Sequence, residues 1–263
     1  MRELAVVVNN SNKTVSAFET IDAIKEAGFK NVLIQWYDVA SWEYSQEKQL
    51  EYIREKGLNV IFAHLGYQTI NTIWEEGESG DALVERYQKD IRECKENGID
   101  LVIMHLTSKN VAPMYNELGL SRLRKITDYA KEMGVRVAFE NTKIQGYLEY
   151  VLGAINEEHV GMCFDVGHFH AHFNDKFDHE FVKNRIFAVH LHDNDTSSDQ
   201  HLLPFDGTLD WEMAMGKIKD CNYEGPITVE LCYRNDYLNN NVEEFYKEGY
   251  KRANKVRKLY ESI

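Results

Sequence analysis

Short apolar runs alternate along the whole chain with longer stretches in which apolar residues recur every three or four positions. The first pattern is that of strands buried on both faces, the second that of amphipathic helices. The runs lie near Leu4–Val8, Val32–Gln35, Val60–His64, Leu101–His105, Arg136–Glu140, Gly161–Asp165, Ile186–His190 and Ile227–Glu230. The clearest helical face is Leu120, Leu123, Ile126, Ala130 and Met133, and a last helix is expected from Val242, capped by Asn241, to about Tyr260.

One punctuation mark joins these elements. Glu26-Ala27-Gly28-Phe29, Glu55-Lys56-Gly57-Leu58, Glu96-Asn97-Gly98-Ile99 and Glu132-Met133-Gly134-Val135 each place a glycine between a helical pattern and an apolar run, with a looser copy at Tyr223-Glu224-Gly225-Pro226. Glycine ends a helix because it takes the left-handed conformation without a Cβ clash. Helices therefore hand over repeatedly to strands through tight turns. Eight such units predict α/β architecture, a single (β/α)8 TIM barrel over residues 1–263. An open doubly wound sheet would carry a glycine-rich phosphate loop after its first strand, and Asn9-Asn10-Ser11-Asn12 stands there instead.

Composition changes this picture only by exclusion. The length of 263 residues suits one barrel, and no apolar run approaches the roughly 20 residues of a membrane span. Met1-Arg2-Glu3-Leu4 leads directly into a strand and does not read as a signal peptide. Cys94, Cys163, Cys221 and Cys232 form no C-x-x-C pair, which suits free thiols in a reducing cytoplasm. A net charge of -13 disfavours a broad nucleic-acid footprint. No membrane partner is expected, and a homo-oligomer is compatible with the sequence.

Side chains of a strand point alternately to opposite faces. If the large residues of the last four runs face the helices, then Ala138 and Glu140, Cys163 and Asp165, Ala188 and His190, and Thr228 and Glu230 face the barrel interior. Each interior set ends in a carboxylate or imidazole at the C-terminal rim, where barrel enzymes keep their chemistry. His64 and His105 end two earlier runs in the same way. Converging carboxylates repel one another, and a divalent cation removes the conflict. Further donors follow closely: His168, His192, Asp193, Asp199 and His201. Lys109, Lys143 and Arg234 lie just past strand ends and could hold a phosphate, while Trp36, Tyr37, Trp42 and Tyr67 could stack on a sugar ring.

In this order, Phe62-Ala63-His64, Ile103-Met104-His105, Phe139-Glu140-Asn141-Thr142 with Gln145-Gly146, Phe164-Asp165-Val166-Gly167-His168, Val189-His190-Leu191-His192-Asp193, Asp199-Gln200-His201 and Thr228-Val229-Glu230 resemble the xylose-isomerase-like TIM barrel superfamily. It contains sugar phosphate isomerases and epimerases and the endonuclease IV type of nuclease, AP endonuclease family 2. Resemblance to its ketose 3-epimerases implies one metal ion on Glu140, Asp165, His190 and Glu230. The two glutamates would then serve as acid and base, with His168 on a substrate oxygen. Resemblance to the endonuclease IV group implies three zinc ions on a larger set: His64, His105, Glu140, Asp165, His168, His190, Asp199, His201 and Glu230. The acidic run Asp193-Asn194-Asp195-Thr196-Ser197-Ser198-Asp199 argues for a small sugar or sugar phosphate over DNA. The expectation is a metal-dependent isomerase or epimerase using Mn²⁺ or Zn²⁺, with Mg²⁺ or Co²⁺ as substitutes. The alternative is a multi-zinc phosphodiesterase acting on abasic DNA.

Overall fold

The computed structural model describes residues 1–9, 14–37, 44–172, 178–233 and 241–263. Strands β1 (Leu4–Val7), β2 (Asn31–Trp36), β3 (Asn59–Leu65), β4 (Leu101–Met104), β5 (Arg136–Glu140), β6 (Val160–Asp165), β7 (Ile186–His190) and β8 (Ile227–Val229) alternate with helices. The helices are α1 (Ala17–Ala27), α2 (Gln46–Glu55), α3 (Glu78–Glu96), α4 (Glu117–Met133), α5 (Tyr147–Ala154), α6 (Val166–His172), α7 (Trp211–Asp220) and α8 (Val242–Ser262). All strand pairings are parallel, in the order β7-β6-β5-β4-β3-β2-β1-β8. The two ends of this order meet just past β7: the Leu191 amide donates to Thr228 O at 3.0 Å, and the Glu230 amide donates to Leu191 O at 3.0 Å. The sheet is thereby closed into a (β/α)8 barrel, and α8 packs against both α1 and α7 to complete the outer ring. No described helix is long and apolar enough to cross a membrane.

The four expected glycines do end helices or their last turns in the left-handed region: Gly28 at φ 103°, Gly57 at 68°, Gly98 at 71° and Gly134 at 66°. The fifth, Gly225, does not. Asn222 takes the left-handed position after α7, at φ 58°, and Gly225 instead makes room for the Tyr223 phenol, which donates to Pro226 O. Asparagine tolerates this conformation because its short polar side chain bonds locally.

The apolar residues divide into two layers. Val6, Val32, Ile34, Met104, Val137, Phe139, Met162, Phe164 and Val189 pack against the helices, while Val7, Leu33, Phe62, Leu101, Ile103, Ala138, Cys163 and Ala188 fill the barrel. Alternation holds with two interruptions. The register slips between Val32 and Leu33 opposite Ile61, and between Met162 and Cys163 opposite Phe187. Each slip inserts one extra residue, as a β-bulge does. Phe187 therefore packs on the interior cluster and not on the helix side as the alternation predicts, with the Arg136 guanidinium 5.1 Å from its ring centre.

Candidate metal centre

The barrel interior is bulky under β2 to β4 (Leu33, Phe62, Leu101, Ile103) and slender under β5 to β8 (Ala138, Cys163, Ala188, Thr228). Above the slender side stand Glu140, Asp165, His190 and Glu230, each two positions beyond one of those small residues. Ligand atoms from all four lie within 4.8 Å of one another. His190 Nδ1 is 3.2 Å from Glu140 Oε1, 3.1 Å from Glu230 Oε2 and 3.9 Å from Asp165 Oδ2. Two donors of one tetrahedral Zn²⁺, each at ~2.0–2.1 Å, would be about 3.4 Å apart, so this spacing fits a first-row divalent ion.

Glu140 also faces a second group through its other oxygen. His64 Nε2 and His105 Nε2 are each 3.1 Å from Glu140 Oε2 and 3.2 Å from one another. His64 Nδ1 lies 2.9 Å from Leu65 O, which fixes it as the protonated nitrogen and leaves Nε2 a lone pair. Two imidazole nitrogens aimed at one carboxylate oxygen suit a cation better than protons. Beyond Glu230, the hairpin held by the Asp193–Leu202 bridge brings Asp199 and His201 over the rim. His201 Nε2 is 3.3 Å from Asp199 Oδ1, and His168 Nε2 is 3.1 Å from Asp199 Oδ2.

The motif after β5 orients this cluster. The Asn141 amide donates to Asp165 O and accepts from the Asp165 amide, both at 2.8 Å, which clamps the ends of β5 and β6 together. Asn141 O takes His168 Nδ1 at 2.9 Å, and the Thr142 hydroxyl meets that of Thr107 at 2.8 Å. Asp193 is wholly buried and accepts from the amides of Asn194, Phe205 and Leu209 and from the Trp211 indole, so it organises the loop and faces no substrate.

Burial alone would push the carboxylates up and the imidazoles down. For Glu140 burial is outweighed by the facing His190 and His105, which hold it well below its ordinary value. Burial lowers His168, but Asp165, Asp199 and Glu140 carry it to about 10. Burial likewise opposes Glu230 and Asp199, which bring His201 to about 9. The carboxylates thus raise His168 and His201 by their negative charge, and a divalent ion bound among them would supply positive charge there.

Of the other expected contacts, Tyr67 lies at the mouth, stacked on His105 with ring centres 4.2 Å apart. Trp36 does not line it. Its indole is fully buried in the layer between sheet and helices and points to Glu93 on α3 at 3.4 Å, because position 36 falls on the outward face of β2. Lys109 is exposed on the loop after β4, at φ 66°. Trp42 and Arg234 fall outside the described residues.

His192 also belongs to this cluster. His192 is fully buried, with Nε2 3.2 Å from both oxygens of Asp165. The signal was present: two positions beyond His190 in extended backbone, it shares His190's face.

The fold is a closed (β/α)8 barrel whose rim gathers carboxylates and imidazoles at a spacing that could hold a cation. The chain belongs to the xylose isomerase-like TIM barrel family, whose model matches residues 21–256. An uncharacterized protein of Sinorhizobium fredii is 27% identical over 250 residues, covering 80% of this chain and 79% of its own. An inosose isomerase of Bacillus licheniformis is 24% identical over 181 residues, 62% of this chain and 64% of its own. A probable endonuclease 4 of Geotalea daltonii is 28% identical over 131 residues, 45% of each chain. Among solved structures, a D-tagatose 3-epimerase-like protein superposes with a TM-score of 0.73 at 20% identity, covering 97% of this chain and 99% of its own. The IOLI protein with a bound zinc atom gives 0.75 at 16%, covering 98% and 96%. At such identities the structural likeness is one of fold.

Proposed function

We propose that this protein is a divalent-metal-dependent isomerase or epimerase of a sugar or related polyol ketone, working by proton transfer next to a carbonyl. The observation that carries the reading is the convergence of Glu140, Asp165, His190 and Glu230 within 4.8 Å from four successive strands. The isomerase and epimerase relatives and the zinc-bound neighbour agree with it. These four residues would hold the ion, which when bound polarises a carbonyl and its neighbouring hydroxyl and lowers the cost of an enediolate.

The residues divide the remaining work. Glu230, whose side chain is 12% exposed against 1% for Glu140, is the carboxylate that reaches the mouth and would take the α-proton. Glu140 lies deeper, and in an epimerisation it would have to take up a proton first and then deliver it to the opposite face of the substrate. His168 would bond a substrate oxygen, and Tyr67 would wall the sugar beside His105. In deuterated solvent, wild type should exchange the substrate α-hydrogen and Glu230→Gln should lose that exchange with its fold intact. Exchange at the wild-type rate would remove Glu230 from the role of base.

The triangle of His64, His105 and Glu140 favours a second reading, a multi-zinc phosphodiesterase on abasic DNA. The acidic loop beside the mouth and the net charge of -13 oppose phosphate approach. Cleavage of an abasic duplex by the zinc-loaded protein, without sugar isomerisation, would establish that reading over the first.

A further inference from the structure

The Asp165 carboxylate is wholly buried, and two hydrogen-bond donors hold it. The His168 amide donates to Oδ1 at 2.7 Å. His192 Nε2 lies 3.2 Å from Oδ2 and 3.2 Å from Oδ1, astride the carboxylate. A carboxylate only accepts, so Nε2 carries the ring proton and Nδ1 keeps the lone pair. The next carboxylate oxygen, Asp199 Oδ1, is 3.7 Å from Nε2, beyond hydrogen-bond reach. Nδ1 is buried and has no hydrogen-bond partner among the described residues. The polar contact that His192 makes is therefore with Asp165.

The ring itself is held from two sides. Gly167, in α6, lies against its edge, where an added Cβ would stand 1.9 Å from Cε1 and 2.4 Å from Nδ1. On its face the His201 ring stacks, with centres 4.0 Å apart and planes 15° apart. The lone pair of an imidazole lies in the ring plane, so those of two stacked rings run side by side and do not converge on one ion. With Nε2–H turned to Asp165, His192 offers the centre a proton and not a lone pair.

We propose that His192 is a positioning residue and not a ligand: its Nε2–H fixes the Asp165 carboxylate with Oδ2 turned to the ion shared with Glu140, His190 and Glu230. Oδ2 stands 3.9 Å from His190 Nδ1. The His168 amide already takes Oδ1, so the two donors together leave the carboxylate one orientation. Losing an orienting hydrogen bond of this kind usually costs about 10–100-fold in metal affinity.

The inference rests on the metal-dependent reading of the barrel, and zinc affinity tests the two apart. In competitive chelation, His192→Leu removes the donor and should weaken Zn²⁺ binding about 10–100-fold. His192→Gln places an amide N–H near the position of Nε2 and should recover most of that loss. Gly167→Ala keeps the imidazole but pushes it off its seat, on helical backbone that tolerates alanine, and should fall toward the leucine variant. The number of ions bound at saturation should stay that of wild type in all three, since no ligand is removed. In wild type, long-range ¹H–¹⁵N correlation should show His192 protonated on Nε2 and bare on Nδ1, with and without Zn²⁺, a readout that needs no variant to fold. A proton on Nδ1, a leucine variant that binds Zn²⁺ as tightly as wild type or holds fewer ions, or a glutamine variant no better than leucine would overturn this role and leave the proposed function standing. A wild type that binds no Zn²⁺ at all would overturn the metal-dependent reading, and this role with it.

Discussion

Asn141 illustrates how a single side chain serves the centre without touching the chemistry. Its amide makes two 2.8 Å bonds to the main chain of Asp165, and its own carbonyl holds the His168 ring. Removing the amide leaves a buried donor and acceptor unpaired, each costing ~1–3 kcal/mol, and loosens a ligand-bearing strand end. Asn141→Ala should therefore lower unfolding stability by about 2–4 kcal/mol. Its metal affinity should fall about 10–100-fold, the usual effect of losing an orienting partner. Denaturant titration and competitive chelation measure the two separately, and a variant that loses neither would contradict the clamp. At this scale the sequence named the donors at six strand ends because each sits at an interior register position. It did not separate His192 from Asp193, adjacent residues of one short run. Their different fates follow from the Asp193–Leu202 hairpin, which folds loop amides onto one and leaves the other facing Asp165.

Among the elements, the handover from helix to strand is the most legible feature. The left-handed glycines differ in what surrounds them: nothing lies within 4 Å of a Cβ built on Gly98, whereas the Tyr250 ring lies 3.4 Å from one on Gly28. Gly98→Ala should thus cost only the conformational term, about 1–2 kcal/mol. Gly28→Ala should cost more, since φ 103° lies farther from the left-handed well and α8 must yield around Tyr250. Urea denaturation with unchanged m-values would test the order, and equal losses would mean that the ring moves freely. The bulges at Ile61 and Phe187 were not legible, because an extra residue in a strand leaves hydrophobic alternation ambiguous and only the neighbour's register reveals it.

For the molecule as a whole, the proposed cation would contribute to stability as well as to chemistry. Ligation requires deprotonated imidazoles, so each ion that enters releases protons and its apparent affinity should fall as pH falls. Calorimetric zinc titrations in buffers of different ionisation enthalpy should reveal that release, and a heat independent of buffer would refute it. Chelation should lower Tm, because an ion that binds only the native barrel stabilises it by mass action. An identical Tm in chelator and in excess zinc would show that the donors hold no ion.

Sequence by itself determined the periodic alternation of elements, the glycine turns between them and the interior register that aims carboxylates and imidazoles at one rim. These are local properties, set by side-chain direction and backbone sterics within a few residues. Closure of β7 onto β8 through Leu191, the placement of Trp36 against α3, and the meeting of His192, Asp199 and His201 around Asp165 and Glu230 were decided only in three dimensions. Those contacts join residues distant in the chain, and their spacing depends on strand register and loop path, which no local pattern of apolar and polar residues encodes.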